Sequence, residues 1–510
     1  MSGSRIKNTL KNTKMGIITR ISRMIVNFVI KTLFIKCLGS QYTGVSSLFT
    51  DILIFLSFAE LGIGSAITFS LYKPVAENDG ERISALIHFY KTAYRIVAAI
   101  VFGVGVAILP LLKYMITDVP DIKENLMLIY FLYVVNTASS YLLIYKSVIF
   151  EAKQKRFVIS MIDTGIMFVR LIIESIELII YKKFLLYLIT DISLNIIQNM
   201  IIAHKANKEY DYKNKTARIS KEERNKILSD IYALAMYQVS FVALSSTDSI
   251  VISTFIGTEF VGFLSCYKML FNQIISFLQQ FIYGANASVG NLVTEGNVKK
   301  EYQLFIDLNF VFFMLSLFCC VCLFILTEPF INIWVGEGYQ LGRAVVVVLT
   351  IDFFLNVMRQ IVNMFRVANG LFIQGRYRPV IMAALNIGLS IALVFKWGVF
   401  GVLAATVLSK LFTEVWYDPY LVYREVFRRS VIEYYIRYLE YFVTVIVGYI
   451  AAYSLCCLVN IENIYLDFVI RLLICIIVVF ICIWIFWSRA SEFISCKLRI
   501  KNILKNRWIG

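Results

Sequence analysis

The amino-acid sequence predicts an all-α polytopic membrane protein of about fourteen transmembrane helices, grouped as two six-helix bundles plus two C-terminal helices. Three observations predict it. Hydrophobic residues make up 59% of the 510, and charged residues only 16%, whereas soluble domains are nearer ~half apolar and ~a quarter charged. The apolar residues come in runs close to the ~20 that span a bilayer as a helix. The first half of the chain also recurs in the second at a nearly constant offset, the mark of a duplication.

In chain order, hydropathy places spans near 15–38, 44–71, 92–112, 125–148, 157–180, 184–203, 228–255, 262–288, 304–327, 344–370, 379–395, 399–421, 437–459 and 466–488. With the N-terminus inside, the inside segments hold 33 Lys and Arg and the outside loops 7. Both termini are therefore expected in the cytoplasm. The same asymmetry accounts for the net charge of +16 without nucleic acid as a partner. Met1–Lys14 is polar and basic and the first apolar run is too long for an h-region, so no signal peptide is expected. The ten cysteines lie in or beside apolar runs, and only His88 and His204 offer nitrogen ligands. Neither disulfides nor a metal site is expected.

The first span is unusual. Arg20, Arg23, Asn27 and Lys31 fall at i, i+3, i+7 and i+11, one face of a helix. An Arg or Lys near the middle of a membrane helix costs roughly 2.5–3.5 kcal/mol on insertion scales. Such a stripe needs water, an anion or a carboxylate opposite it. Further along, the polar stretch between spans six and seven reads as a linker, giving bundles at 1–203 and 228–421, a linker at 204–227 and an appended segment at 422–510. The repeat is visible in residues. Leu38-Gly-Ser-Gln-Tyr-Thr-Gly44 aligns with Ile256-Gly-Thr-Glu-Phe-Val-Gly262 at an offset of 218, and Asn136 with Asn356 at an offset of 220. An even number of spans per repeat makes the repeats parallel, with substrate expected near the midplane between them.

At these residues the chain resembles a known family. Gly44-Val-Ser-Ser-Leu-Phe, Ala59-Glu-Leu-Gly-Ile-Gly-Ser-Ala66 (with Glu60 and Gly62), Ser70-Leu-Tyr-Lys-Pro74 and Thr247-Asp-Ser-Ile-Val-Ile-Ser253 look like the Wzx-type polysaccharide repeat-unit flippases. That capsule and O-unit branch belongs to the superfamily that includes multidrug and toxin extrusion transporters and the lipid II flippase. The resemblance implies a V-shaped pair of bundles that open alternately to each side of a bacterial cytoplasmic membrane. It implies a cargo of undecaprenyl-diphosphate-linked oligosaccharide, with membrane lipid as a partner and polysaccharide polymerase or assembly proteins as candidate ones. A lipid II or teichoic-acid precursor cargo and a multidrug-type cation antiporter are the alternatives.

Against that background the charges acquire roles. Three cations with no acid in their own helix must face a cavity, and Arg presents planar donors matched to diphosphate oxygens. Arg20, Arg23, Asn27 and Lys31 are the candidate substrate-binding face, joined by Arg170 of span five and by Arg359 of span ten. Asp163, Arg170, Glu174 and Glu177 share a face of span five, where they either pair among the helices or serve the cargo. Lys36, Arg366 and Glu414, near predicted span ends, are expected to snorkel to the headgroups. No GxxxxGK[ST] phosphate loop is present, so a transmembrane ion gradient is the expected energy source and no cofactor is expected. A carboxylate in a partly dry cavity exchanges protons, which makes Glu174, Glu177 and Asp248 the candidates for ion coupling. An enzyme is not expected, because the outer loops are short and hold no His.

Overall fold

The computed structural model describes residues 2–60, 63–209, 218–371, 374–375, 377–459, 461–495 and 497. Among them the chain is helical almost throughout and has no strand, so the all-α reading holds. The long helices are α1 Ser2–Leu38, α2 Ser40–Leu56, α3 Ile63–Glu77, α4 Gly80–Ile108, α5 Leu126–Ile144, α6 Arg156–Ile176 and α7 Phe184–Glu209. They continue with α8 Lys221–Phe255, α9 Thr258–Thr294, α10 Val298–Val335, α11 Arg343–Ala368, α12 Arg378–Phe412, α13 Glu414–Val422, α14 Ile432–Cys457 and α15 Ile464–Trp487. Gly62, the centre of the predicted linker at 210–217 and the tail beyond 497 lie outside the described residues.

Nine of the described helical stretches are long and apolar enough to cross a membrane. The predicted first and fifth spans, α1 with 37 residues and α6 with 21, have the length. Their apolar runs are interrupted by Arg20, Arg23 and Lys31 in α1 and by Asp163, Arg170 and Glu174 in α6. The second span differs from the expectation of an unbroken helix. It is divided, with a 3-10 turn at Ser57–Glu60 between α2 and α3. The eleventh and twelfth are separate as expected: α12 is two helices that meet at Gly398, whose non-helical backbone has a positive φ of 56° that a residue with a Cβ rarely adopts. The later of the two breaks at Thr413 (φ −124°, ψ −78°), so α13 begins at Glu414.

The chain divides into two compact units, Met1–Gly262 and Phe263–Gly510. In the first, α1 lies along α6, α4 along α3 and α5, α7 along α5 and α6, and α8 along α2 and α3. Its core holds Ile67, Leu71, Leu86, Val101 and Ile149, each fully buried. The α1–α6 seam buries Val26, Ile30 and Met167, and Thr19 Oγ1 donates to the Ser160 carbonyl at 3.2 Å. In the second unit α10 is the central helix, packed by α11, α14 and α15. Phe313 of α10 stacks on Tyr441 of α14 with ring centroids 4.0 Å apart.

The repeated turns meet within the first unit. A Cβ on Gly262 would lie 2.8 Å from both the Gly44 nitrogen and the Ser40 carbonyl oxygen, and one on Gly44 would collide with the Thr258 carbonyl. Thr258 holds the place in the second copy that Ser40 holds in the first. The contact is therefore reciprocal, each copy offering the same surface to the other, and it requires glycine at both positions. Glu259 adds polar ties, accepting from Ser40 Oγ and from Gln41 Nε2, the latter at 3.2 Å.

Candidate functional site

The face of α1 comes first, because its charges are the least expected in a membrane. At ~100° per residue, its surface falls into three sectors. Thr19, Val26, Ile30 and Phe34 are buried. Ile17, Ile18, Ile21, Ile25 and Phe28 are exposed and wholly apolar. Between these sectors lie Arg20, Asn27 and Lys31, and Arg23 stands beside them at the edge of the packing side; Arg23 and Asn27 are exposed and the other two half-buried. The sequence therefore builds a helix with one side for packing, one fit for lipid and one fit for neither. The α1 face is held loosely by acid. Arg23 approaches Asp163 of α6 at 3.9 Å while 57% of its side chain stays accessible, and Asp163 also accepts from Gln198 of α7 at 2.9 Å.

Deeper in the first unit, α5, α6 and α7 enclose a polar network. Arg170 of α6 pairs with Asp191 of α7 at 3.1 Å and with Glu174 at 3.6 Å, and donates to Asn195 at 2.7 Å. Asn136 of α5 donates to Asp191 at 3.1 Å and accepts from Asn195 at 3.1 Å. Just past α6, Glu177 accepts from Thr190 at 2.6 Å. Glu174 is 1% exposed, and neither of its carboxylate oxygens has a hydrogen-bond donor among the described residues. Along α6 and α7, Arg23 and Arg170 thus stand against four carboxylates: Asp163, Glu174, Glu177 and Asp191. Uncompensated charge in such a place costs several kcal/mol, so the network calls for protons or a cation.

The second unit holds a network of the opposite balance. Arg359 of α11 pairs with Glu414 of α13 at 2.6 Å. Arg378 lies 3.8 Å from Glu414 and binds Asp418 closely, and Arg366 is 3.8 Å from Asp418. Lys410 of α12 pairs with Asp352 at 2.5 Å and donates to Asn356 at 3.2 Å. Four cations here face three carboxylates. The break at Thr413 makes this possible: it starts a fresh short helix with Glu414 and Asp418 one turn apart on one face. The expectation that Glu414 and Arg366 snorkel to headgroups is overturned, since they are 2% and 6% exposed. Both stand at helix ends, but there they are buried against oppositely charged side chains and do not reach headgroups. Lys36 is exposed, as snorkelling requires.

The candidate residues thus separate into six places. Arg20, Arg23, Asn27 and Lys31 share the α1 face; Arg170, Glu174 and Glu177 join in the first network; Arg359 belongs to the second. Asp248, 3% exposed, sits on α8, which packs on α2 and α3. Glu60 lies in the turn before α3 and accepts from Tyr94 Oη at 2.9 Å, with Tyr90 donating to Tyr94 at 3.2 Å. Gly44 and Gly262 form the close contact between the repeated turns. Sequence reasoning missed Asp191, Asn195, Arg378 and Asp418. Asp191 carried a signal, an acid within a predicted span, that reading single helix faces passes over.

No family profile and no curated protein sequence matches the chain. Solved structures do. The chain is similar to the lipid II flippase MurJ in an inward closed conformation, with a TM-score of 0.69, 15% identity, and coverage of 93% of this chain and 98% of that one. It is similar to a multidrug resistance MATE family transporter of the MOP superfamily in its inward-facing conformation, with a TM-score of 0.61, 13% identity, and coverage of 78% and 94%. An outward-facing MATE family transporter matches with a TM-score of 0.56, 11% identity, and coverage of 82% and 96%. These likenesses show the fold that the chain shares with those proteins.

Proposed function

We propose that the chain is a flippase that moves undecaprenyl-diphosphate-linked oligosaccharide repeat units from the cytoplasmic to the outer leaflet of a bacterial cytoplasmic membrane. It does so by alternating access, with both termini cytoplasmic, for capsule, O-unit or exopolysaccharide assembly. The observation that carries this reading is the divided surface of α1. An accessible face with three cations stands beside an exposed apolar sector, and Arg23 reaches its carboxylate only at 3.9 Å. A diphosphate held by Arg20 and Arg23 gains charge-assisted bonds worth about 1.5–3 kcal/mol each, while the lipid tail stays beside the isoleucines. The carboxylate excess around Glu174 and Glu177 supplies the counterpart, a place where a proton or other cation exchanges as the site opens to each side. No covalent chemistry is needed, so the chain acts as a transporter and not as an enzyme.

Deleting the gene should leave lipid-linked repeat units on the cytoplasmic leaflet. Arg23→Lys should restore part of the export and Arg23→Ala little of it. Normal polysaccharide export with Arg23→Ala would refute the diphosphate role of that face. A second reading, a lipid II or teichoic-acid precursor flippase, is favoured by the likeness to the MurJ fold over 93% of the chain. Offering both cargoes to the protein in proteoliposomes separates the two.

A further inference from the structure

The last two helices have no role in this scheme, yet they complete a cavity. The C-terminal ends of α10 and α14 and the N-terminal ends of α11 and α15 meet at one end of the second unit around about 250 Å³ of space. By the positive-inside expectation this is the outer end. One wall is aromatic. Phe324 and Tyr449 lie with ring centroids 4.5 Å apart, and Tyr449 and Tyr453 with centroids 5.9 Å apart. The Arg343 guanidinium covers the Tyr453 ring at 4.6 Å and donates to its hydroxyl at 2.5 Å.

Most of the rest of the lining is polar. Arg471 of α15 donates to Asp467 at 2.6 Å, and Glu328 joins the lining on α10. Two guanidinium groups therefore meet two carboxylates, and the cavity has no net charge. One acceptor is left over, because Asp467 Oδ1 is buried with no hydrogen-bond donor among the described residues. A buried oxygen in that state asks for a donor from a ligand or a water.

These features select a ligand. A phosphate-bearing headgroup needs cations in excess, and Arg471 is already committed to Asp467. An acyl chain would strand the ions and amides of the lining, such as Asn332. A neutral sugar ring meets both parts of the lining. Its C–H face, slightly positive, suits the negative face of an aromatic ring, and its vicinal hydroxyls both donate to carboxylates and accept from guanidinium groups. Drug-sized ligands occupy roughly 300–1,000 Å³, so this cavity is sized for one ring and not for a chain.

We propose that the cavity built by α10, α11, α14 and α15 binds one neutral pyranose residue of a glycan at the outer end of the second unit. The inference deepens the flippase reading and rests on it for the source of the sugar, the repeat unit as it emerges. Binding of the free sugar does not depend on transport.

The test uses the full chain in nanodiscs and saturation-transfer NMR with methyl glucoside, methyl galactoside and N-acetylglucosamine, with glucuronate and phosphoethanolamine as charged probes. At least one neutral sugar should bind. Tyr449→Ala should weaken it about tenfold, the loss of one ring platform, while Tyr449→Phe should keep it. Asp467→Ala, which removes the open acceptor, should weaken it as well. Absence of binding by all three neutral sugars, unchanged binding in Tyr449→Ala, or preference for either charged probe would overturn the proposal. Flipping of a lipid-linked repeat unit is measured on the same protein in proteoliposomes. Intact flipping without sugar binding sinks the cavity alone, and sugar binding without flipping sinks the cargo reading alone.

Discussion

The two buried networks occupy corresponding positions and have opposite polarity. Asn136 and Asn356 align in the sequence repeat, and each joins its own helix to a neighbour, α7 through Asp191 and Asn195 in one unit and α12 through Lys410 in the other. In the first unit the acid, Asp191, is on that neighbour and the base, Arg170, on α6. In the second the base, Lys410, is on the neighbour and the acid, Asp352, one turn from the asparagine on α11. The amide hub is common to both units, while the charge that meets it from the neighbouring helix is acidic in one and basic in the other. The first network has carboxylates in excess and the second has cations in excess. One is suited to hold a mobile cation and the other to hold itself together.

The largest expected effect tests whether the second network is structural. Glu414→Gln leaves Arg359 and Arg378 facing one carboxylate fewer in a site that already has cations in excess. Breaking a buried pair costs about 3–5 kcal/mol, so thermal unfolding of the purified protein should show a large loss of stability. A variant as stable as the parent would mean that the pairing does not support the fold.

The repeated turns sharpen the comparison from the side of shape. Gly44→Ala and Gly262→Ala should each destabilise by about 2 kcal/mol through overpacking, and by similar amounts, because each Cβ meets the backbone of the other copy. Strongly unequal losses would show that the contact is not reciprocal in energy. A smaller contrast comes from the hubs. Asn136→Asp adds a carboxylate where carboxylates are already in excess and should destabilise by about 1 kcal/mol. Asn356→Asp, which loses its bond to Asp352 but sets a carboxylate beside Lys410 where cations are in excess, should cost less. Equal losses in the two variants would remove the argument from polarity.

Much of this fold was legible in the chain. Apolar runs of spanning length report helices directly, since a membrane leaves the backbone few other ways to satisfy its hydrogen bonds. The Gly44/Gly262 offset was also visible, though not that the two turns touch. The α1 face was legible because helical periodicity alone puts Arg20, Arg23 and Asn27 together. The networks were not. Pairs such as Arg359 with Glu414 and Arg170 with Asp191 join residues 55 and 21 apart in sequence, and nothing within one helix announces its partner on another.

Glu174 gives the smallest effect on stability and the sharpest test of function. Its carboxylate is buried, lies 3.6 Å from an Arg170 that is closer to Asp191, and has no hydrogen-bond donor among the described residues. Replacing it by the neutral amide removes one charge from the side in excess. Glu174→Gln should therefore shift stability by no more than about 0.5 kcal/mol, or raise it, where the same chemical change at position 414 is severe. If the excess acid is where a coupling cation is held, the neutral side chain mimics the occupied state permanently. Cargo movement should then lose its response to imposed proton and sodium gradients while still proceeding downhill. A Glu174→Gln protein that unfolds as readily as the Glu414→Gln one would assign Glu174 to the scaffold. An unaltered gradient response would move the coupling site elsewhere, with Glu177 and Asp248 the next positions to replace.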